Sequence, residues 1–418
     1  MQVVGPTLVV AATGLSPPIR QAEPERVPPY DDEVLVTYTL GNDLYRPNTF
    51  EVDLGAIVHN IRQLRETVGP GIRVYAAVKA NAYGYGLTEV ASAAVKAGVS
   101  GLALADLREG VRLRRSGVEL PILLYAGVLF TRATVAAIEE FELTPTVVDW
   151  ESARRLGDLV SGRRGIFVKV DVGLERVGVH ADDAVDLLKR IVEDEQGRLV
   201  VEGLYTHMHV AEAEGRRMEY LRWQYERLVK VVTTLKSLGM EIPTLMAAST
   251  GVLNSTGEMV LNAVDPGHLI YGLTPAGSPT GAMSLRPAFR RLASTLIQVK
   301  AFRRSDFIRE TPFPATGVSR VGIIPFGRAD GMHALTTGFV LVRGMRARIL
   351  GDPSLEHTRV DLSQIPQARV GDEAVIIGEQ DGSVISVNDV LSHQQHGREA
   401  AVALEVREPV CRLFIEED

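Results

Sequence analysis

The chain of 418 residues is too long for one small core, and a prior of about one domain per 150 residues predicts two or three units. A net charge of −7 with no long basic run excludes nucleic acid or an anionic membrane surface as the main partner and leaves a small molecule. A single cysteine, Cys411, excludes a disulfide framework and a cysteine-based zinc site and predicts a reducing, cytoplasmic compartment.

Residues 1–46, with TLVVAATGL and then SPPIRQAEPERVPPYDDE, predict a flexible or surface-draped extension. The apolar stretch has no Lys or Arg before it and is too short to span a bilayer, so neither a signal peptide nor a membrane anchor is expected. From there, apolar runs of β type recur with helical patterns between them. They are VYAAVKA (74–80), GLALAD (101–106), PILLYAG (121–127), TPTVVDW (144–150), GIFVKVDVG (165–173), VEGLYTHM (201–208), TLMAAST (244–250) and AVDPGHLIYG (263–272). Helical spacing joins Ile57, Ile61 and Leu64, and again Leu221, Leu228, Val231, Val232, Leu235 and Leu238. Eight buried runs alternating with amphipathic helices close a parallel (β/α)8 TIM barrel, so the fold class is α/β with the barrel over residues 47–284. Beyond it, STLIQVKAF, RVGIIPFG, GFVLVRGMRARIL, TRVDLS and EAVIIG are short strands separated by Gly, Pro and Asp turns, which predicts a β-rich domain over 285–418.

Chemistry in such a barrel gathers at the carboxyl ends of the strands. Lys79 closes the first strand, Asp171 and Arg176 follow the fifth, His207 and His209 close the sixth, and Ser249 closes the seventh. Asp265, Gly267 and His268 reach the same rim if the eighth strand begins near Leu261. A lysine at a strand end can lay its stem along the core and lift its ammonium into water. Held in a dry pocket instead, it loses its proton easily and condenses with an aldehyde. Ser249 with Gly251, and Gly267 after Pro266, come from the two strands whose ends often bind phosphate, although serine and glycine are also ordinary turn residues. Together with the lysine they suggest a phosphorylated aldehyde cofactor.

The segment VKANAYGYG resembles the pyridoxal-phosphate lysine motif of the alanine racemase family, a fold-type III group. VKVDVGLERVGV, GLYTHMHVAEAEG, AAST and VDPGHLIYGLTP resemble its fifth to eighth strand segments, and VGIIPFGRADGM begins a stretch similar to its β domain. The similarity runs in order over about residues 47–415. It implies pyridoxal 5′-phosphate as cofactor, with Lys79 bonded to it, Tyr83, Ser249 and the backbone at Gly267 and His268 around its phosphate, and His207 against its ring. It also implies that Arg176 meets the substrate carboxylate, that Lys169, carbamylated in some members, steadies that arginine, and that a homodimer shares its active sites. From the residues alone, Lys169 and Asp171 read equally well as a strand-end ion pair, and His207 as a satisfied core histidine.

Two departures bear on the reaction. The family's eighth-strand motif carries an arginine facing the pyridine nitrogen, where this chain has Asp265. A carboxylate keeps that nitrogen protonated and opens decarboxylation, retro-aldol cleavage, elimination and transamination as well as racemisation. Asp-Pro-Gly is also a good turn that the side chain could simply cap. The family's second acid/base is a tyrosine of the partner subunit, yet no tyrosine follows Tyr271 in this chain. Arg309 falls near that position, and Arg328 replaces a second family tyrosine. Arginine is a poor base and a good anion binder, so the pair points to a substrate with an anionic side chain, unless both are ordinary surface or ion-pair arginines. His357, His207 and Tyr85 are the candidates for a new second base.

The expectation is a pyridoxal-phosphate-dependent, racemase-like enzyme working through Lys79 at the α-carbon of an amino acid. The nearest rival is a non-racemising decarboxylase, aldolase or eliminase of the same fold and cofactor. A distant one is a metal-dependent barrel hydrolase built on His207, His209 and Glu212. No resident metal is expected.

Overall fold

Burial on both faces turns the eight apolar runs into a closed ring. The computed structural model describes residues 35–36, 46–194, 197–210, 217–256, 258–273, 283–303, 313, 316–393, 402–407 and 410–416. Parallel barrel strands one to eight lie at Arg73–Ala77, Gly101–Leu104, Ile122–Leu124, Thr146–Val147, Arg164–Asp171, Leu199–Tyr205, Thr244–Ala248 and Ala263–Val264. Strand eight pairs with strand one, and a bridge between Leu123 and Thr144 joins strand three to the approach of strand four, which completes the ring. Alternation then sorts the side chains: Tyr75, Ala103, Leu123, Phe167, Tyr205, Met246 and Ala263 pack together inside, while Val74, Leu102, Ile122, Val168 and Leu204 join the core under the helices. Gly203 leaves room for one large inward ring, since a Cβ there would stand 2.1 Å from the Phe167 side chain.

Helices start promptly after the strands because the sequence supplies caps. Asp106, Thr131 and Asp149 accept first-turn amides of helices Leu107–Arg115, Arg132–Glu140 and Trp150–Leu159. Helix Leu54–Val68 buries Ile57, Ile61 and Leu64 as their spacing predicts. Helix Arg217–Ser237 ends one residue before Leu238, which is 47% exposed, because Gly239 at φ 77° turns the chain out of the helix. Among the described residues, no helix is long and apolar enough to cross a membrane.

The following segment is β-rich. Its larger sheet holds Phe289–Thr295, Phe339–Val342, Met345–Arg348, Glu373–Gln380, Ser383–Ile385 and Cys411–Glu416, and its smaller one Gln298–Ala301, Arg320–Ile324 and Thr358–Asp361. One strand crosses the expected boundary. Thr49–Asp53 falls within 47–284 yet pairs antiparallel with Phe289–Thr295 and parallel with Cys411–Glu416. Its alternating TFEVD buries Phe50 and Val52, a pattern that asks for a sheet with one face on a core. We propose retaining the division near residues 47 and 285, with this strand counted in the second domain. Of residues 1–46, only 35, 36 and 46 are described, and Leu35–Val36 pairs with Cys411–Glu416; the rest of the expected extension lies outside the described residues.

The second domain backs the first strand's rim. Arg412 Nε donates to the Gly84 carbonyl at 2.8 Å, and a Cβ on Gly84 would stand 2.3 Å from the Ala403 carbonyl oxygen. Any side chain at Gly84 would push this domain off the loop that carries Lys79.

Candidate active site

The abrupt change from VYAAV to KANAYG is a reversal of handedness. Strand one ends at Ala77, and Ala80, Asn81, Ala82 and Tyr83 follow with φ of 56°, 53°, 53° and 56°. They make one turn of left-handed helix, closed by Gly84 at φ 89°. Such a conformation costs about 1–2 kcal/mol per L-residue, so four in succession persist only where their surroundings hold them. Ala82 N–H donates to Val78 O at 2.9 Å, Gly84 N–H to Ala80 O at 3.0 Å, and Leu87 N–H to Asn81 Oδ1 at 3.0 Å. The turn fixes the root of Lys79 at the mouth of strand one. Its Nζ stands 5.6 Å from the centre of the Tyr125 ring and 5.9 Å from that of Tyr83. Burial lowers the Lys79 pKa, Asp265 opposes that shift, and the Arg176 charge adds to it. The net effect favours the neutral, nucleophilic amine.

Strand eight is only Ala263–Val264, so Asp265 is the first residue beyond it and lies on the rim. The Tyr125 hydroxyl donates to Asp265 Oδ2 at 2.9 Å, while Oδ1 is buried with no partner among the described residues. Burial pushes this carboxyl up to about 7, against the Tyr125 hydrogen bond and the positive Lys79 and Lys169. Lys169 is buried on strand five, its Nζ 5.8 Å from the centre of the Tyr205 ring. Burial and then the Arg176 charge bring its pKa down to about 8. His207 sits half-buried after strand six, where burial and then Arg176, Lys79 and Lys169 push it down to about 3, so it is neutral at neutral pH. Lys79, Lys169, Arg176, His207 and Asp265 thus share one electrostatic neighbourhood.

A second group lines the neighbouring rim. Tyr83 meets the His268 ring edge-on at 5.3 Å between centroids and lies 5.2 Å from Tyr271. A Cβ on Gly267 would stand 2.4 Å from the Tyr83 hydroxyl, so the missing side chain is what admits that oxygen. Ser249 is buried and opens the short helix Thr250–Ser255 without using its side chain as a cap. Thr250 Oγ1 accepts the N–H of Gly267 at 3.1 Å and of Leu269 at 3.4 Å, which fixes the start of the turn His268–Tyr271. The hydroxyls of Tyr83 and Ser249 and the bare Gly267 therefore lie on the last strands' rim, where the fold favours a phosphate.

Arg176 is exposed on the loop after strand five. That loop is folded around Asp171, which accepts the amides of Arg176, Gly173, Leu174 and Glu175 at 2.7, 2.8, 2.9 and 3.3 Å. Burial pulls the Asp171 carboxyl upward, but these amides together hold it below its ordinary value. Arg328 is exposed at the turn Arg328–Asp330 of the second domain, and Arg309 lies outside the described residues. His357 is exposed in that domain, whereas Tyr85 is 1% exposed and stacked on Tyr271 at 4.7 Å, which makes it a core residue. Glu212 also lies outside the described residues, and among those described no group of three or more His, Cys, Asp or Glu could hold a metal ion. Sequence reasoning missed Tyr125, Thr250 and Glu109. Tyr125 stands one residue beyond strand three, and its place at a strand's carboxyl end was the signal that could have found it.

A TIM barrel with a desolvated lysine just beyond strand one, a phosphate-favouring rim on strands seven and eight and a β-rich second domain defines a class of pyridoxal-phosphate enzymes. The model for the alanine racemase N-terminal domain matches residues 52–275, and that for the C-terminal domain matches 290–409. The chain is 32% identical over 357 residues to alanine racemase 2 of Caldanaerobacter subterraneus, which covers 83% of this chain and 90% of that protein. It is 32% identical over 379 residues to alanine racemase 1 of Bacillus subtilis, with coverage of 89% and 94%. The crystal structure of alanine racemase from Bacillus anthracis with bound L-Ala-P superposes with a TM-score of 0.77 at 26% identity, covering 89% of this chain and 96% of that one. The chain belongs to the alanine racemase family and is a pyridoxal-phosphate-dependent isomerase of the racemase type. The family, the fold class and the cofactor expected from the motifs all hold.

Proposed function

We propose that this enzyme racemises an amino acid at its α-carbon, with the cofactor held on Lys79. The observation that carries this reading is the desolvated Lys79 in the same electrostatic neighbourhood as Asp265, whose buried Oδ1 has no partner among the described residues. A buried carboxylate oxygen left unpaired is costly, and a protonated ring nitrogen is the kind of group that would satisfy it. When bound, pyridoxal phosphate supplies an aldehyde that amines condense with and a ring that makes the α-hydrogen of the attached amino acid acidic.

The residues divide the remaining work. Lys79 moves a proton on one face of the α-carbon. Tyr83, Ser249, Gly267 and His268 hold the phosphate, and the fit of the Tyr83 hydroxyl over bare Gly267 supports this cup. Asp265 holds a proton at the ring nitrogen, and neutral His207 lies against the ring without adding charge. Arg176 meets the substrate carboxylate, and Lys169, if carbamylated as in some family members, supplies the negative charge that steadies it, since the bare ammonium repels that guanidinium. Gly267→Ala should weaken retention of the cofactor about tenfold or more, since its Cβ displaces Tyr83. Titration of pyridoxal phosphate into the apo-protein checks this, and unchanged affinity would remove Gly267 from the cup.

The relatives' names point to alanine as a substrate. The exposed Arg328, together with Arg309, supports an amino acid with an anionic side chain instead. Arg328→Ala should raise KM for an acidic amino acid about tenfold and leave KM for alanine unchanged; equal effects on both, or on neither, would sink the anionic assignment. We further propose a cytoplasmic homodimer, which the single cysteine and the family's shared sites support.

A second reading keeps the cofactor and changes the outcome to loss of the carboxylate or side chain. Asp265 in place of the family's arginine is its motive. Following an L-amino acid in D2O separates the two, because racemisation places deuterium on both enantiomers and the alternative releases a fragment.

A further inference from the structure

The left-handed turn after Lys79 has an anchor that lies outside the catalytic set. Amides of a helical turn's first residues have no partner inside the turn, whichever its hand. Here Asn81 N–H is one of them, and it donates to Glu109 Oε1 at 2.6 Å. Glu109 itself comes from the first turn of helix Leu107–Arg115, behind strand two, so the contact joins two neighbouring βα units across 28 positions of sequence. Its other oxygen, Oε2, is buried with no partner among the described residues.

A half-buried carboxylate with one unpaired oxygen is an expensive way to fill a surface-helix position. An alanine or leucine there would avoid that cost, but would leave the Asn81 amide without an acceptor. Among the described residues, the strained segment would then lose the one side-chain acceptor that reaches it from outside its own loop. We propose that Glu109 is a positioning residue for Lys79: by accepting the Asn81 amide of the left-handed turn it holds the backbone that aims the lysine. This inference rests on Lys79 being the cofactor lysine. Glu109 touches neither cofactor nor substrate and acts only through the turn.

The test uses Glu109→Ala and Glu109→Gln beside Lys79→Ala and the wild type. Apo-protein of each is mixed with pyridoxal phosphate, the growth of the lysine-dependent visible absorbance is timed, and kcat, KM and the thermal midpoint are measured on the loaded enzymes. Glu109→Ala should slow attachment and lower kcat about tenfold or more, with KM within about twofold, because a misplaced lysine impairs the proton transfer rather than substrate binding. Glu109→Gln keeps an acceptor for the amide and should recover most of both rates. Wild-type attachment and kcat in Glu109→Ala would overturn the proposal. So would a Glu109→Gln variant as impaired as Glu109→Ala, or a fall in rate matched by loss of folded protein alone. If the wild type itself shows no absorbance that Lys79→Ala removes, the assignment of the cofactor lysine has failed instead, and the two failures are distinct.

Discussion

Lys79→Ala lowers racemisation by about 10⁴-fold or more and abolishes the visible absorbance of the lysine-bound cofactor. On the roles proposed above, this single change removes two functions at once, the covalent attachment and the proton transfer on one face. Lys79→Arg should be nearly as inactive. It keeps the positive charge, but a guanidinium stays protonated at any working pH and can neither attach the cofactor nor accept the α-proton. The wild-type amine is suited to both tasks because burial lowers its pKa, an effect that Asp265 opposes and Arg176 reinforces. Measured kcat/KM in either direction, with the absorbance of the purified variants, checks this. Activity within tenfold of the wild type in Lys79→Ala would remove Lys79 from the chemistry.

Asp265→Asn should cost about 10²–10³-fold in kcat while leaving the cofactor attached, the size expected when one preorganised charge is lost from a dry site. Asparagine keeps the shape and still accepts from Tyr125, but it brings no charge to hold a proton at the ring nitrogen. The same substitution has a signature in the cofactor-free protein. Burial raises the Asp265 carboxyl from 3.8 to about 7 in the folded state, so below about 4 both folded and unfolded forms are protonated and the group costs nothing. As pH rises from 4 to 7 the unfolded form ionises first, and the folded protein loses stability relative to Asp265→Asn until the difference levels off above 7. Thermal midpoints of the two apo-proteins, compared across that window, read the effect directly because every other titrating group is common to both. Parallel curves would mean that Asp265 is not the buried carboxyl, with one oxygen lacking a partner, described above.

Much of this was legible in the residues. Eight apolar runs with helices between them fixed the barrel, since parallel strands buried on both faces have few other homes. VKANAYGYG was legible as chemistry because an interior lysine followed by turn residues needs a reason. Other features were not readable locally. TFEVD is an unambiguous strand, but nothing in five residues names its neighbours at Phe289–Thr295 and Cys411–Glu416. Tyr125 in LLYAG reads as one more core aromatic until its hydroxyl is seen on Asp265. The left-handed φ of Ala80 and Ala82 contradicts the intrinsic preference of alanine, so it takes anchors beyond the tripeptide, such as Glu109 on the Asn81 amide and the Leu87 amide on the Asn81 side chain, to account for it. The Lys169–Asp171 ion pair that the spacing allowed gives way to a loop folded on Asp171, whose carboxylate is taken up by four backbone amides.

The experiment to perform first is an absorbance spectrum of the purified wild type and Lys79→Ala, followed by proton NMR of L- and D-amino acids, alanine and acidic ones, incubated with each in D2O. A Lys79-dependent visible band, with deuterium entering the α-carbon as both enantiomers build up equally, is the expected result. A wild type without that band, or one that releases carbon dioxide or the side chain while optical purity persists, would contradict a racemase built on Lys79.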